Sequence, residues 1–177
     1  MNTRKLFVVS WLFKFIPPTR GHSIKACLLR WAGAKIGKNV EIMSSAKIMG
    51  EMNLIIGNNC YIGHEAIIMG NKGSNIIMED YSKIGTRVIL VTGFHKITPN
   101  GNCIEGEGTC SNIRICKGAV VSTQSLILPG KTVYQMSHVA AGSVVTKDVP
   151  EFMRVAGVPA RIIKDLREIN ESNHSKG

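Results

Sequence analysis

Two histidines carry side chains suited to proton transfer near neutral pH. His95 follows Gly93 and Phe94, at the start of a long segment that contains Gly and Pro, and His64 stands directly before Glu65. Because the pKa of imidazole is about 6.5, such a ring can accept a proton and return it at neutral pH. Long irregular insertions in a regular scaffold are usually functional, so His95 is a candidate for a catalytic role, and a loop histidine without a role is the alternative.

The C-terminal third combines small side chains with cations. Residues 140–143 are Ala, Ala, Gly and Ser, and small residues let a ligand run close to backbone N–H and C=O groups. Lys147, Arg161 and Lys164 follow, and ammonium and guanidinium groups suit phosphates. The same features also fit the corners and the solvated surface of a regular fold.

The element that must position these residues is a six-residue repeat. Neither a 3.6-residue helical period nor strand alternation gives an aliphatic side chain at every sixth position. We therefore predict a solenoid of about five coils with three hexads in each, where the aliphatic side chain points inward and the small residue after it rounds the corner. The fifteen repeat positions are Ile36, Ile42, Ile48, Ile56, Ile62, Ile68, Met78, Ile84, Leu90, Ile115, Val121, Ile127, Val133, Val139 and Val145.

Three segments lie outside the repeat and divide the chain into 1–34, 35–160 and 161–177. Residues 96–114 interrupt the solenoid, and we predict a long irregular loop there. Residues 161–170 place apolar side chains at near-helical spacing, which predicts a short amphipathic helix before a fraying tail. Residues 1–20 carry four cations around an apolar, aromatic run. This helical segment fits either a cap on the solenoid or a helix at a membrane interface.

Length and composition narrow the choice of partners and compartment. The 177 residues suit one domain with its own core, and the formal charge of +10 favours an anionic ligand or surface. Since no module of stacking aromatic residues is visible, we expect no nucleic-acid partner. Five cysteines without a C-x-x-C pair favour a reducing compartment, hence the cytoplasm. The apolar run near the start is too short to span a bilayer.

The hexads occur together with three further strings, Leu128-Pro129-Gly130, residues 141–150 (AGSVVTKDVP) and residues 156–160 (AGVPA). In these the chain resembles the hexapeptide-repeat acyltransferases, in particular the maltose, galactoside and capsule or colanic-acid sugar O-acetyltransferases. The resemblance implies a left-handed parallel β-helix and a homotrimer with active sites between subunits. It implies His95 as the catalytic base, acetyl-coenzyme A as co-substrate and no metal. The residues that match positions contacting acetyl-coenzyme A are Thr123, Ala141, Thr146, Lys147, Arg161 and Lys164.

The activity implied is direct transfer of acetyl to a sugar hydroxyl of a surface polysaccharide or its precursor. His64 and Glu65 would contact the saccharide, because we expect their corner to approach the same edge as His95. Many of the resembled enzymes carry an acid directly after the histidine, where Lys96 stands here. A backbone carbonyl or one of Glu65, Asp80, Glu105 and Glu107 would then orient the ring.

Two other activities are compatible with the same scaffold. An N-acetyltransferase for an amino sugar or an antibiotic would keep the fold and the donor and change only the acceptor. A carbonic-anhydrase-like zinc enzyme would need three histidines that converge on the metal across a subunit interface. His64, His95 and His138 lack the spacing that such enzymes show.

Overall fold

The computed structural model of the chain describes residues 1–100 and 102–168, and begins with two helices, α1 (Thr3–Phe13) and α2 (His22–Trp31). Short strands follow. The first nine are β1 (Lys35–Ile36), β2 (Glu41–Ile42), β3 (Lys47–Gly50), β4 (Asn53–Ile56), β5 (Tyr61–Ile62), β6 (Ile67–Gly70), β7 (Asn75–Met78), β8 (Lys83–Ile84) and β9 (Ile89–Val91). The next ten are β10 (Gly93–Ile97), β11 (Glu105–Cys110), β12 (Ile113–Ile115), β13 (Val120–Val121), β14 (Leu126–Ile127), β15 (Thr132–Val133), β16 (His138–Val139), β17 (Val144–Val145), β18 (Met153–Ala156) and β19 (Arg161–Asp165).

Three parallel sheets form the faces of a triangular prism. The first face has the order β1-β4-β7-β12-β15, and the third face has the order β3-β6-β9-β14-β17. The second face contains β2-β5-β8-β13-β16-β18, with β19 at its end. Each coil passes through the three faces in turn, so five strands on the first and third faces confirm the predicted number of coils.

The repeat positions line the interior of the prism. All fifteen are buried, and most have no exposed surface at all. On the second face Ile42 pairs with Ile62, Ile62 with Ile84, and Ile84 with Val121. Burial of one such aliphatic side chain contributes about 1.5–3 kcal/mol. A continuous column of aliphatic contacts thus holds the coils in register.

The small residues after the repeat positions do not round the corners, contrary to the prediction. Gly37, Gly63 and Gly85 lack positive φ angles, but a Cβ at Gly37 or Gly63 would collide with the backbone of the next coil. The left-handed backbone conformation lies two residues later, as at Asn39 and Glu65, where φ is 53°. Small residues are therefore needed for the close approach of successive coils.

The interruption of the repeat is an ordered β-hairpin, which corrects the prediction of an irregular loop over 96–114. β10 and β11 pair antiparallel, with Gly93 opposite Cys110 and His95 opposite Gly108. The hairpin leaves the edge where the third face meets the first, called here the third edge. The count of six also slips between β3 and β4 and between β6 and β7, at this same edge. Extra residues can leave the coil there without disturbing the buried columns.

The prediction of a helix from residue 161 is wrong for residues 161–165. These residues form β19, which folds back on β18, with Arg161 opposite Ala156 and Lys164 opposite Arg154. Ile162 and Ile163 are both exposed, so their spacing does not mark the buried face of a helix. Pairing with β18 satisfies the backbone of an otherwise open strand edge. Residues 166 and 167 form a turn and residue 168 has helical conformation, while residues 169–177, the rest of the predicted helix and tail, lie outside the described residues.

The two helices cover the first coil, as a cap would. Leu6, Val9 and Phe13 of α1 are buried, and α1 packs beside β3. Lys25 of α2 is fully buried, and its Nζ donates hydrogen bonds to the carbonyls of Pro18 at 2.9 Å and Ile42 at 2.6 Å. In the described part of the chain, no helix combines the length and apolarity needed to cross a membrane.

We expect Lys25→Met to lower the free energy of unfolding by at least about 1 kcal/mol, because the buried carbonyl of Ile42 and the carbonyl of Pro18 each lose a hydrogen bond from the ammonium. Burial also lowers the pKa of Lys25, so the ammonium itself carries a desolvation cost that methionine removes. Urea denaturation measures the balance, and Lys83→Met on an exposed strand serves as the matched control. If Lys25→Met were as stable as the control variant, the desolvation cost of the ammonium would equal or exceed the stabilisation that its hydrogen bonds provide.

Candidate active site

His95 is fixed on the hairpin by a backbone hydrogen bond. Its Nδ1 lies 3.1 Å from the carbonyl oxygen of Gly106 on the facing strand. A carbonyl only accepts, so the neutral ring carries its proton on Nδ1 and leaves Nε2 with a free lone pair. The arrangement therefore presents Nε2 as a proton acceptor.

The carboxylates considered as orienting groups are not the ring's partner. Glu107 Oε2 pairs with Lys96 Nζ at 3.0 Å across the hairpin, and Glu65 Oε2 accepts a hydrogen bond from Arg87 Nε at 2.6 Å. Asp80 accepts hydrogen bonds from the backbone and side chain of Asn58, which hold the pKa of its carboxyl below its usual value. Of the alternatives left open by the sequence, the backbone carbonyl is the one observed.

The surroundings of His95 within one chain are open. His95 itself is exposed, and so are Phe94, Ile97 and Ile104, with 42%, 71% and 61% of their surface accessible. Gly108 stands directly opposite His95, and a Cβ there would lie 3.5 Å from the ring. The imidazole thus lies on an exposed hairpin, with a glycine backbone beside it and three exposed apolar side chains on the same hairpin.

His64 does not share an edge with His95 in the single chain, which corrects that expectation. Its corner joins β5 of the second face to β6 of the third, called here the second edge. Ser45 Oγ, one coil below, lies 3.1 Å from His64 Nδ1 and accepts a hydrogen bond from the backbone N–H of Glu65. The hydrogen bond from Arg87 lowers the pKa of the Glu65 carboxyl.

A cleft of about 520 Å³ lies where this part of the second edge meets α1. Its lining is more apolar than polar and includes Ser10 and Lys14 from the helix and Ser45, Met49 and Glu65 from the solenoid. The cleft therefore joins the corner of His64 to the cap of the solenoid.

The predicted cofactor residues fall on two edges. Thr123 and Ala141 occupy the second edge on successive coils, and the carbonyl of Thr123 accepts a hydrogen bond from Gly142 N–H at 2.9 Å. Thr146 and Lys147 follow β17 on the third edge, the edge of the hairpin. Arg161 and Lys164 lie on β19 and are exposed. One chain thus brings Thr123 and Ala141 together but separates them from Thr146, Lys147 and His95.

Three contacts in this region lack a sequence signal. The Gly106 carbonyl is a backbone group, and neither Gly108 nor Ser45 lies in a distinctive motif. Arg87, in contrast, follows Glu65 by one coil at the same corner position, and both have positive φ. A coil count at the second edge could therefore have found this ion pair.

His64, His95 and His138 do not converge on a metal site in one chain. His138 lies on the second face, where its Nε2 is 2.8 Å from Ser122 Oγ and burial lowers its pKa. Across residues 1–100 and 102–168, no group of three His, Cys, Asp or Glu side chains is placed to hold an ion.

Known proteins resemble this chain in both sequence and fold. The protein named "Putative colanic acid biosynthesis acetyltransferase WcaF" of Escherichia coli (strain K12) is 31% identical over 144 residues, which cover 81% of this chain and 76% of WcaF. Galactoside O-acetyltransferase of the same strain is 28% identical over 160 residues, covering 77% and 75%. A structure of galactoside acetyltransferase in complex with coenzyme A superposes with a TM-score of 0.75, at 21% identity, over 96% of this chain and 82% of that one. No family model matches the sequence.

The chain belongs to the hexapeptide-repeat acetyltransferases. Membership confirms the resemblance drawn from the hexads and the C-terminal strings, and with it the left-handed β-helix. The structure of this acetyltransferase differs from the sequence prediction in two segments. The hairpin of β10 and β11 stands where the sequence predicts an irregular loop, and β19 stands where it predicts a helix.

We expect Gly108→Val to slow turnover about tenfold or more, because a branched side chain beside the ring displaces His95 from its working position. Gly108→Ala is the matched control, since a single Cβ at 3.5 Å is in ordinary contact with the ring. Steady-state kinetics compares the two variants, and donor binding by calorimetry verifies that each remains folded. Equal rates for the two variants would show that the ring position is insensitive to this neighbour.

Proposed function

We propose that the protein transfers acetyl from acetyl-coenzyme A to a hydroxyl of a saccharide, with His95 as the general base. The observation that carries the proposal is the hydrogen bond between His95 Nδ1 and the Gly106 carbonyl, in a chain of an acetyltransferase family. The likeness to galactoside O-acetyltransferase and to WcaF supports a sugar acceptor. We infer a unit of a surface polysaccharide or its precursor.

His95 would act twice in one turnover. Nε2 accepts the proton of the sugar hydroxyl as its oxygen attacks the thioester carbonyl, and the Gly106 carbonyl stabilises the imidazolium that forms. The C–S bond then breaks, and Nε2–H returns the proton to the departing thiolate. Backbone N–H groups at a coil edge would stabilise the oxyanion. A general base of this kind typically contributes about 10² to 10⁴ in rate.

The donor would extend along the upper coils. Thr123, Ala141 and Thr146 are partly or well exposed and present small side chains, which suit the narrow pantetheine arm. Lys147, Arg161 and Lys164 are exposed cations and would bind the phosphates. No metal enters the proposed mechanism.

A homotrimer would complete the site. The hairpin exposes His95 with three apolar side chains, while Thr123, Ala141, His64 and Glu65 lie on the other edge. If the hairpin of one subunit contacts the second edge of the next, these two groups face each other across the interface. His64 and Glu65 would then contact the saccharide near the base. The five cysteines are free, which fits the reducing cytoplasm where we place the enzyme.

We predict that His95→Asn lowers turnover by at least about 10²-fold while it leaves acetyl-coenzyme A binding unchanged, because the side-chain amide can keep the bond to Gly106 but cannot act as a base. Mass spectrometry of an acceptor panel with free hydroxyls or amines measures transfer, and calorimetry measures donor binding. Unchanged turnover of the variant would contradict the role of His95. Transfer to amines alone would show that the enzyme is an N-acetyltransferase and not an O-acetyltransferase.

We predict that the double variant Lys147→Gln/Arg161→Gln weakens acetyl-coenzyme A binding about tenfold or more, because each cation forms charge-assisted hydrogen bonds to phosphate. Turnover with acetylpantetheine, which lacks the nucleotide phosphates, should not change. Lys83→Gln/Lys117→Gln, at exposed positions of the solenoid outside the predicted donor residues, is the control for net charge. If the double variant lost activity equally with acetyl-coenzyme A and with acetylpantetheine, these cations would not bind the phosphates.

A further inference from the structure

The positive charge of the protein is concentrated at its capped end. Residues 1–40 contain eight of the 22 Lys and Arg residues and none of the 12 Asp and Glu residues. One of the eight, Lys25, is buried, and Arg4, Lys14 and Arg20 are among the exposed ones. The two helices and their connections therefore form a surface with positive side chains and no acidic side chain of their own.

The helix α1 has two opposite apolar faces. Leu6, Val9 and Phe13 pack inward on the solenoid. Phe7 and Trp11, one helical turn apart, point outward with 76% and 53% of their surface exposed. Packing on the solenoid therefore accounts for only one of the two faces.

The outward aromatic residues form a continuous stripe beside exposed cations. Phe15, 70% exposed, follows the helix and stacks edge-on against Trp11, with 4.9 Å between ring centroids. Arg4, one turn before Phe7, and Lys14, directly before Phe15, are exposed cations on the same side of α1 as Phe7 and Trp11. We define the cap surface by Arg4, Phe7, Trp11, Lys14 and Phe15.

We propose that the cap surface docks on the surface of an anionic lipid bilayer. Aromatic side chains are favoured at the membrane interface, where the ring lies among headgroups and acyl chains. Each Lys or Arg close to an anionic bilayer adds about 1 kcal/mol of attraction. The cap surface combines aromatic rings with positive charge, since its exposed Trp and Phe rings lie beside exposed cations.

A second copy of the chain fits this surface less well. Two cap surfaces facing each other would bring two sets of cations together, with no acidic side chain from residues 1–40 to pair with them. A bilayer containing anionic lipid supplies the missing negative charge together with an apolar layer. The proposal does not depend on the acetyl transfer proposed above, because docking is measured without substrate.

Co-sedimentation of the full chain with vesicles tests the proposal. One vesicle is phosphatidylcholine alone and the other an equal mixture of phosphatidylcholine and phosphatidylglycerol. We expect binding to the mixed vesicles only, weakened by salt. Of the two tryptophans, Trp31→Phe leaves Trp11 alone, and its emission should shift to the blue on binding. Equal binding to both vesicles, or none to either, would overturn the proposal.

Variants locate the contact. Phe7→Ser/Trp11→Ser and Arg4→Gln/Lys14→Gln should each lower the partition coefficient about tenfold or more. The matched controls, Tyr81→Ser/Tyr134→Ser and Lys83→Gln/Lys117→Gln, change exposed residues of the solenoid and should bind as the wild type does. Circular dichroism verifies folding. If Phe7→Ser/Trp11→Ser instead changes the molar mass in light scattering and leaves vesicle binding intact, the face joins copies of the chain and the proposal fails.

Discussion

The structure depends on one constraint, the in-register stacking of coils around a narrow aliphatic interior. Each coil must place its inward side chain directly over the one below, as Ile42, Ile62 and Ile84 do. Since parallel strands stack about 4.8 Å apart, the backbones at the corners come equally close. That closeness requires glycine at Gly37 and Gly63, where a Cβ would meet the next backbone. The aliphatic positions and the adjacent small residues therefore serve the same stacking.

The same constraint determines where the chain can carry function. Extra residues inside a face would shift a column of buried side chains, but residues added at a corner can loop outward. The third edge takes all three departures from the hexad, and the longest is the hairpin with His95. The pairing register of the hairpin shifts between His95 and Ile97, and Gly106, which lies at this irregularity, uses its carbonyl to hold the imidazole. The rigid solenoid thus supports a proton acceptor that is oriented before any substrate binds.

The sequence predicts the solenoid well because one aliphatic side chain per hexad is a local and repeated signal. The sequence does not predict the segments whose structure is determined by pairing with another strand. Residues 161–165 have a nearly helical spacing of apolar side chains, but hydrogen bonds to β18 make them a strand. The hairpin has the Gly and Pro content of a loop, and its strands are stabilised by each other rather than by a hydrophobic face.

In the candidate site as well, local features are predictable from the sequence and tertiary contacts are not. The location of His95 on the segment that interrupts the repeat is predictable from the hexads, its role stays a prediction from the resemblance, and its partner is a backbone carbonyl that no side-chain pattern reveals. The predicted donor residues lie on the second edge, on the third edge and on β19, and only their approach to another subunit of the proposed trimer lies beyond what a hexad count gives. The placement of Thr123 and Ala141 on one edge follows from the hexads, because three hexads make one full coil, and Lys147 falls one hexad later on the next edge.

The central claim is that the Gly106 carbonyl fixes the proton of His95 on Nδ1 and leaves Nε2 free to accept one. The most direct measurement is the tautomer of His95, read from its two ring nitrogen shifts in a ¹H–¹⁵N correlation spectrum of the neutral ring, with His95→Asn to assign the signals. The account predicts a protonated Nδ1 and an unprotonated Nε2. A proton on Nε2 instead would contradict it, because the ring would then present a donor where the reaction needs a base.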